Sequence, residues 1–103
     1  MEEKLGPMFN PPHPGAFITT TYLEPLGISA RTLANALGVA PSSLTRILNG
    51  FGGISAEMAL RLEAVLGRSA TSWLKMQELY DLDKARTAIN NLNLERLELL
   101  VPA

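Results

Sequence analysis

Residues 33–50 read LANALGVAPSSLTRILNG, and this stretch decides the fold. Two short helices that cross steeply need a small residue where they touch, a turn residue free of Cβ strain, and apolar anchors on the second helix. Ala34 meets the first need, and Gly38 can take positive φ at the turn. Leu44 and Ile47, three residues apart, put one apolar stripe on the core side of the second helix. The spacing spells a helix-turn-helix, a module that docks on nucleic acid.

A chain of 103 residues, 47% of them hydrophobic, can bury one modest core, so a single domain with short tails is expected. The absence of cysteine excludes a disulfide framework and thiolate metal ligation, and His13, the sole histidine, cannot form a histidine cluster. Neither metal nor cofactor is expected. No apolar run approaches the roughly 20 residues that span a bilayer, and MEEKLGPMF at the N-terminus has the wrong charge for a signal peptide. A cytoplasmic protein without membrane attachment follows as the expectation.

The net charge of -1 argues against strong nonspecific binding to nucleic acid, which rests on neutralising phosphates. Its distribution is more telling. Residues 1–26 carry Glu2, Glu3 and Glu24 against Lys4, whereas residues 27–68 carry Arg31, Arg46, Arg61 and Arg68 against Glu57 and Glu63. All four cations around the motif are arginines, whose planar fork suits phosphate and guanine.

Residues 1–13 hold Pro7, Pro11 and Pro12 with Gly6 and Asn10, which predicts an irregular N-terminal arm. A domain over 14–90 follows, all-α, with five helices. Pro14 opens the first, Phe17, Ile18, Tyr22 and Leu26 recur at helical spacing, and Pro25 before Gly27 predicts a bent or tightened last turn. Ser29 caps the second helix, Pro41 opens the third after a poor cap at Ala40, and Ser55 and Ser69 cap the fourth and fifth. Residues 82–90 continue as helix. The tail at 91–103 fits a strand or extended arm as well as further helix, because Leu92 and Leu94 alternate with polar residues while Leu97 breaks the alternation.

Beyond the central motif stand His13-Pro14-Gly15, Leu48-Asn49-Gly50, Ile54-Ser55 with Met58-Ala59-Leu60-Arg61-Leu62, and Trp73-Leu74 followed by Gln77 and Tyr80-Asp81-Leu82. Taken together over 13–82, about two thirds of the chain, they resemble the antidote proteins of HigA-type toxin–antitoxin modules, within the lambda-repressor-like (XRE) class of helix-turn-helix proteins. The resemblance implies a five-helix lambda-repressor-like domain and a small homodimeric repressor that binds a palindromic operator of double-stranded DNA at its own gene. It also implies a partner, a HigB-type toxin that cleaves mRNA. Ala16 departs from the family, which commonly has an acidic residue after His-Pro-Gly and more charge along the first helix.

In a helix-turn-helix the second helix of the motif enters the major groove and the first aims its N-terminus at a phosphate. With Leu44, Ile47 and Leu48 facing the core, Pro41, Ser42, Ser43, Thr45 and Arg46 form the expected base-contacting set. Arg46 can fork onto guanine, and the two hydroxyl types discriminate weakly, so DNA shape is expected to carry part of the specificity. Ser29, Arg31 and Thr32 form one expected phosphate clamp, and Asn49 with Gly50 and the following glycine amides a second. For the dimer interface the set is Trp73, Tyr80, Leu92, Leu94 and Leu97; core packing competes for both aromatics and is favoured for Trp73.

Plainer roles compete elsewhere. His13 reads as a helix-opening residue, and Arg61, four residues after Glu57, as half of a helix pair. The serines have no histidine at helical spacing, and no glycine run has phosphate-loop spacing, so an enzyme is not expected. The alternative to a DNA-binding antitoxin is a helical protein-interaction module that blocks a toxin with little or no DNA binding.

Overall fold

In the computed structural model, which describes residues 10–98, five helices follow one another and no strand occurs among the described residues. Helix α1 covers 14–26 as three continuous segments, α-helical Pro14–Ile18, π-helical Thr19–Leu23 and α-helical Glu24–Leu26. Then come α2 (Ala30–Leu37), α3 (Pro41–Leu48), α4 (Ala56–Leu66) and α5 (Ala70–Ile89). The fold is the all-α, five-helix helix-turn-helix domain that the sequence predicts.

Local chemistry sets the boundaries. The hydroxyl oxygens of Ser29, Ser55 and Ser69 accept from the backbone N–H groups of Thr32, Met58 and Ser72, each at 3.1 Å, satisfying donors that an α-helix leaves open. Helix α3 has no side-chain cap; Ala40 is extended and Pro41, with its φ preset, occupies the first turn. Gly38 ends α2 in the left-handed region at φ 74°, a conformation that a Cβ would strain.

Helix α1 departs from expectation. The helix widens ahead of Pro25, where the Glu24 N–H reaches the Thr19 carbonyl five residues back, and its end closes with the Gly27 N–H on the Glu24 carbonyl three residues back, at 3.4 Å. A proline ring collides with the carbonyl four residues earlier, here that of Thr21, and supplies no N–H. Opening the turn to a π-type step moves that carbonyl out of the ring's way. The Thr19 and Thr20 hydroxyls donate to the Gly15 and Ala16 carbonyls at 3.1 and 3.0 Å, adding hydrogen bonds along the outer turns.

The core is built by Ile18 of α1, Leu33, Ala34 and Leu37 of α2, Leu44 and Ile47 of α3, Ala59 and Leu62 of α4, and Trp73 of α5. Ala34 has no exposed surface, as a small residue at the crossing of two helices requires. Trp73 is also wholly buried, with its ring 5.9 Å from Phe17 in an edge-to-face arrangement. A side chain with no exposed surface cannot meet a second copy, so Trp73 leaves the interface set and belongs to the core.

After α5 the chain is neither helix nor strand through residue 98, so neither regular alternative for the tail forms within 91–98. Residues 1–9 of the arm, and Leu99, Leu100 and Val101 of the tail, lie outside the described residues.

Candidate nucleic-acid interface

Helix α3 turns one face inward and leaves the other bare. Leu44 and Ile47 are buried and Leu48 is half-buried, while Ser42, Ser43, Thr45, Arg46 and Asn49 are exposed and Pro41 is partly covered. Among the described residues the side chains of Ser42, Ser43, Thr45 and Asn49 make no hydrogen bond, and Arg46 makes one long contact, 3.5 Å to the Phe51 carbonyl. The face holds polar groups with open valences on a helix whose position is fixed from behind.

That position is fixed by backbone contact. Gly15 of α1 lies against the last turn of α3, where a Cβ would collide with the Ile47 carbonyl oxygen and come within 2.8 Å of the Leu48 Cα. Only glycine fits there. His13 caps α1, its Nδ1 accepting the Gly15 N–H at 2.8 Å, while Nε2–H donates to the Gly52 carbonyl at 3.1 Å in the loop that follows α3. The helix-opening residue of the sequence is therefore also a tie across 39 positions. Its ring meets the Tyr80 ring edge-on at 4.9 Å.

The loop after α3 is held from three sides. Gly50 turns the chain at φ 83°, and the N–H groups of Phe51 and Gly52 both donate to the Arg46 carbonyl, at 2.8 and 3.2 Å. From α5 the Gln77 Oε1 accepts the Ile54 N–H at 2.9 Å. Asn49 and Gly50 therefore sit in a shaped segment next to the α3 face.

At the start of α2, Ser29, Arg31 and Thr32 are exposed together. The Ser29 hydroxyl is engaged, accepting from the Thr32 N–H and donating to the Thr32 Oγ1 at 2.9 Å. What this terminus offers an anion is its remaining first-turn amides and the Arg31 guanidinium, which forms no ion pair or hydrogen bond among the described residues. Arg61 forms the expected pair with Glu57 at 2.8 Å but has a second task, donating from Nη1 to the Leu37 carbonyl at 2.7 Å and so capping the C-terminus of α2. Arg68 stacks over Phe17, 4.9 Å from the ring centroid. Of the four arginines around the motif, Arg31 and Arg46 are the two left to an external partner.

Sequence reasoning missed the tasks of Gly15, Gln77 and Arg61. Gly15 had a signal, a glycine in the first turn of a helix where propensity disfavours it. Gln77 and the second role of Arg61 depend on tertiary approach and have no local signature. Tyr80 is half-buried, whereas Leu92, Leu94 and Leu97 are exposed. No helix among the described residues is long and apolar enough to cross a membrane.

A packed helix pair carrying a bare polar face on its second member fits one class, the helix-turn-helix regulators. The family model described as Helix-turn-helix matches residues 21–73. Virulence-associated protein I of Dichelobacter nodosus is 44% identical over 82 residues, covering 80% of this chain and 76% of that protein. The solved antitoxin GraA is 36% identical with a TM-score of 0.81, over 87% of this chain and 100% of that one. The antitoxin HigA of Pseudomonas aeruginosa, solved with the higBA promoter, is 34% identical with a TM-score of 0.78, over 88% of this chain and 99% of that one. The chain belongs to the helix-turn-helix family and, within it, to the HigA-type antitoxins.

Proposed function

We propose that this chain represses its own promoter as a two-fold dimer on a palindromic operator, and that it neutralises a HigB-type toxin that cleaves mRNA. The observation that carries the DNA half is the outward face of α3, whose polar side chains find almost no partner within the molecule. Solution of a relative with its promoter DNA supports it. The toxin half rests on membership of the HigA-type antitoxins.

Pro41, Ser42, Ser43, Thr45 and Arg46 meet base edges in the major groove, with Arg46 forking onto guanine O6 and N7. Ser29, Arg31 and Thr32 hold a phosphate from the start of α2, and Asn49 with Gly50 hold another from the end of α3. One such reader covers only a few base pairs, so two copies on half-sites about one helical turn apart are needed. Tyr80, Leu92, Leu94 and Leu97 are assigned to the surface that joins them.

The test is titration of the duplex upstream of the gene at several salt concentrations. Arg46→Ala relaxes base preference, while Arg31→Ala weakens all sequences alike and lowers the salt slope by about 1. If neither substitution changes DNA affinity while a toxin still co-purifies, the chain is an interaction module and not a repressor.

A further inference from the structure

Phe51 is 74% exposed and is the one exposed aromatic side chain among the described residues. Its exposure is imposed by the backbone. Gly50 in the left-handed region turns the chain outward, and the N–H groups of Phe51 and Gly52 are both bound to the Arg46 carbonyl. The far side of the loop is anchored by His13 on the Gly52 carbonyl and by Gln77 on the Ile54 N–H. A loop tied at these points cannot roll its phenylalanine into the core.

Its neighbours indicate what covers it. Arg46, the long cation of the α3 face, reaches Nη2 to the Phe51 backbone carbonyl at 3.5 Å, so the guanidinium lies beside the residue that carries the exposed ring. Asn49 and Gly50, on the same turn, carry the proposed phosphate clamp. An exposed side chain that directly follows Asn49 and Gly50, on a backbone held to Arg46, adjoins both proposed contact sets, and the surface next to them in the repressor reading is the strand that borders the groove. That strand presents deoxyribose rings, whose C–H faces are its apolar part.

We propose that Phe51 packs against deoxyribose at the edge of the major groove, giving the operator complex an apolar contact that releases no counterion. The inference rests on the repressor reading and adds a contact of a different chemical kind from its arginines and hydroxyls. Salt dependence separates the two kinds, because only contacts that neutralise phosphate set the slope of log K against log salt.

The experiment compares the full-length wild-type protein with Phe51→Ala and Phe51→Leu on the duplex upstream of the gene, across a salt series, with thermal melting and sedimentation of each. Phe51→Ala weakens binding about tenfold with an unchanged salt slope, and Phe51→Leu, which keeps apolar surface, loses less. Melting temperatures stay close because the side chain is mostly exposed. Wild-type binding with Phe51→Ala within about twofold overturns this inference alone. So does an unaffected DNA affinity with a dissociated dimer or a lost toxin, which assigns Phe51 to a protein surface. Failure of the wild-type protein to bind the duplex removes the repressor reading and this contact with it.

Discussion

The imidazole of His13 joins the first turn of α1 to the Gly52 carbonyl, with Nδ1 accepting at 2.8 Å on one side and Nε2–H donating at 3.1 Å on the other. One side chain thus fixes both where α1 starts and where the loop after α3 lies. His13→Ala removes a buried cap and a part-buried hydrogen bond, and is expected to lower stability by about 2 kcal/mol. His13→Asn restores the cap but cannot span to Gly52, so it recovers part of the loss. Urea unfolding followed by Trp73 fluorescence checks both, since that indole passes from full burial into water.

Gly15→Ala tests the contact of α1 with α3. Elsewhere in a helix this change stabilises, because alanine lowers the entropy of the unfolded chain. Here the new methyl meets the Ile47 carbonyl and the Leu48 Cα, which are backbone and cannot swing aside. Overpacking of this kind costs about 1 to 3 kcal/mol and forces the two helices apart. Thermal melting reads the loss, and a variant as stable as wild type refutes the close approach.

Arg61→Ala and Glu57→Ala separate two roles of one guanidinium. The Glu57 pair is exposed and spans one helical turn, so Glu57→Ala costs about 0.5 kcal/mol or less. The bond to the Leu37 carbonyl supplies an acceptor at the end of α2 with a charged donor, and its loss costs about 1.5 kcal/mol. Denaturant titration should rank Arg61→Ala well above Glu57→Ala. Equal effects would leave the ion pair as the whole contribution.

These variants mark where the sequence was readable. The serine caps at 29, 55 and 69, the left-handed Gly38 and the small Ala34 follow from chemistry within a few residues, and each occupies its expected place. The inward and outward faces of α3 follow from helical spacing. What escaped was set at a distance: Gly52 is 39 residues from His13, Leu37 is 24 from Arg61, and Ile54 is 23 from Gln77. No local pattern encodes such partners. Pro25 marked a distorted end to α1 but did not show that the helix would also widen in the turn ahead of it. Trp73 shows the limit of periodicity, which marks an apolar face without saying whether core or partner covers it.

The tail supplies the last prediction. Leu92, Leu94 and Leu97 are 58, 67 and 75% exposed, and Leu82 and Ile89 on the outer part of α5 are also uncovered. A run of uncovered apolar side chains through the last part of α5 and the segment after it suits a surface that another chain covers. Residues 91–98 are all exposed in the monomer, and the protein shortened by deletion of 91–103 should retain the five-helix circular dichroism spectrum. It should sediment as a monomer and lose most of its operator affinity, since each copy then holds only a half-site. A shortened protein that remains dimeric moves the two-fold contact elsewhere, and one that is monomeric yet binds the operator undiminished removes the need for two readers.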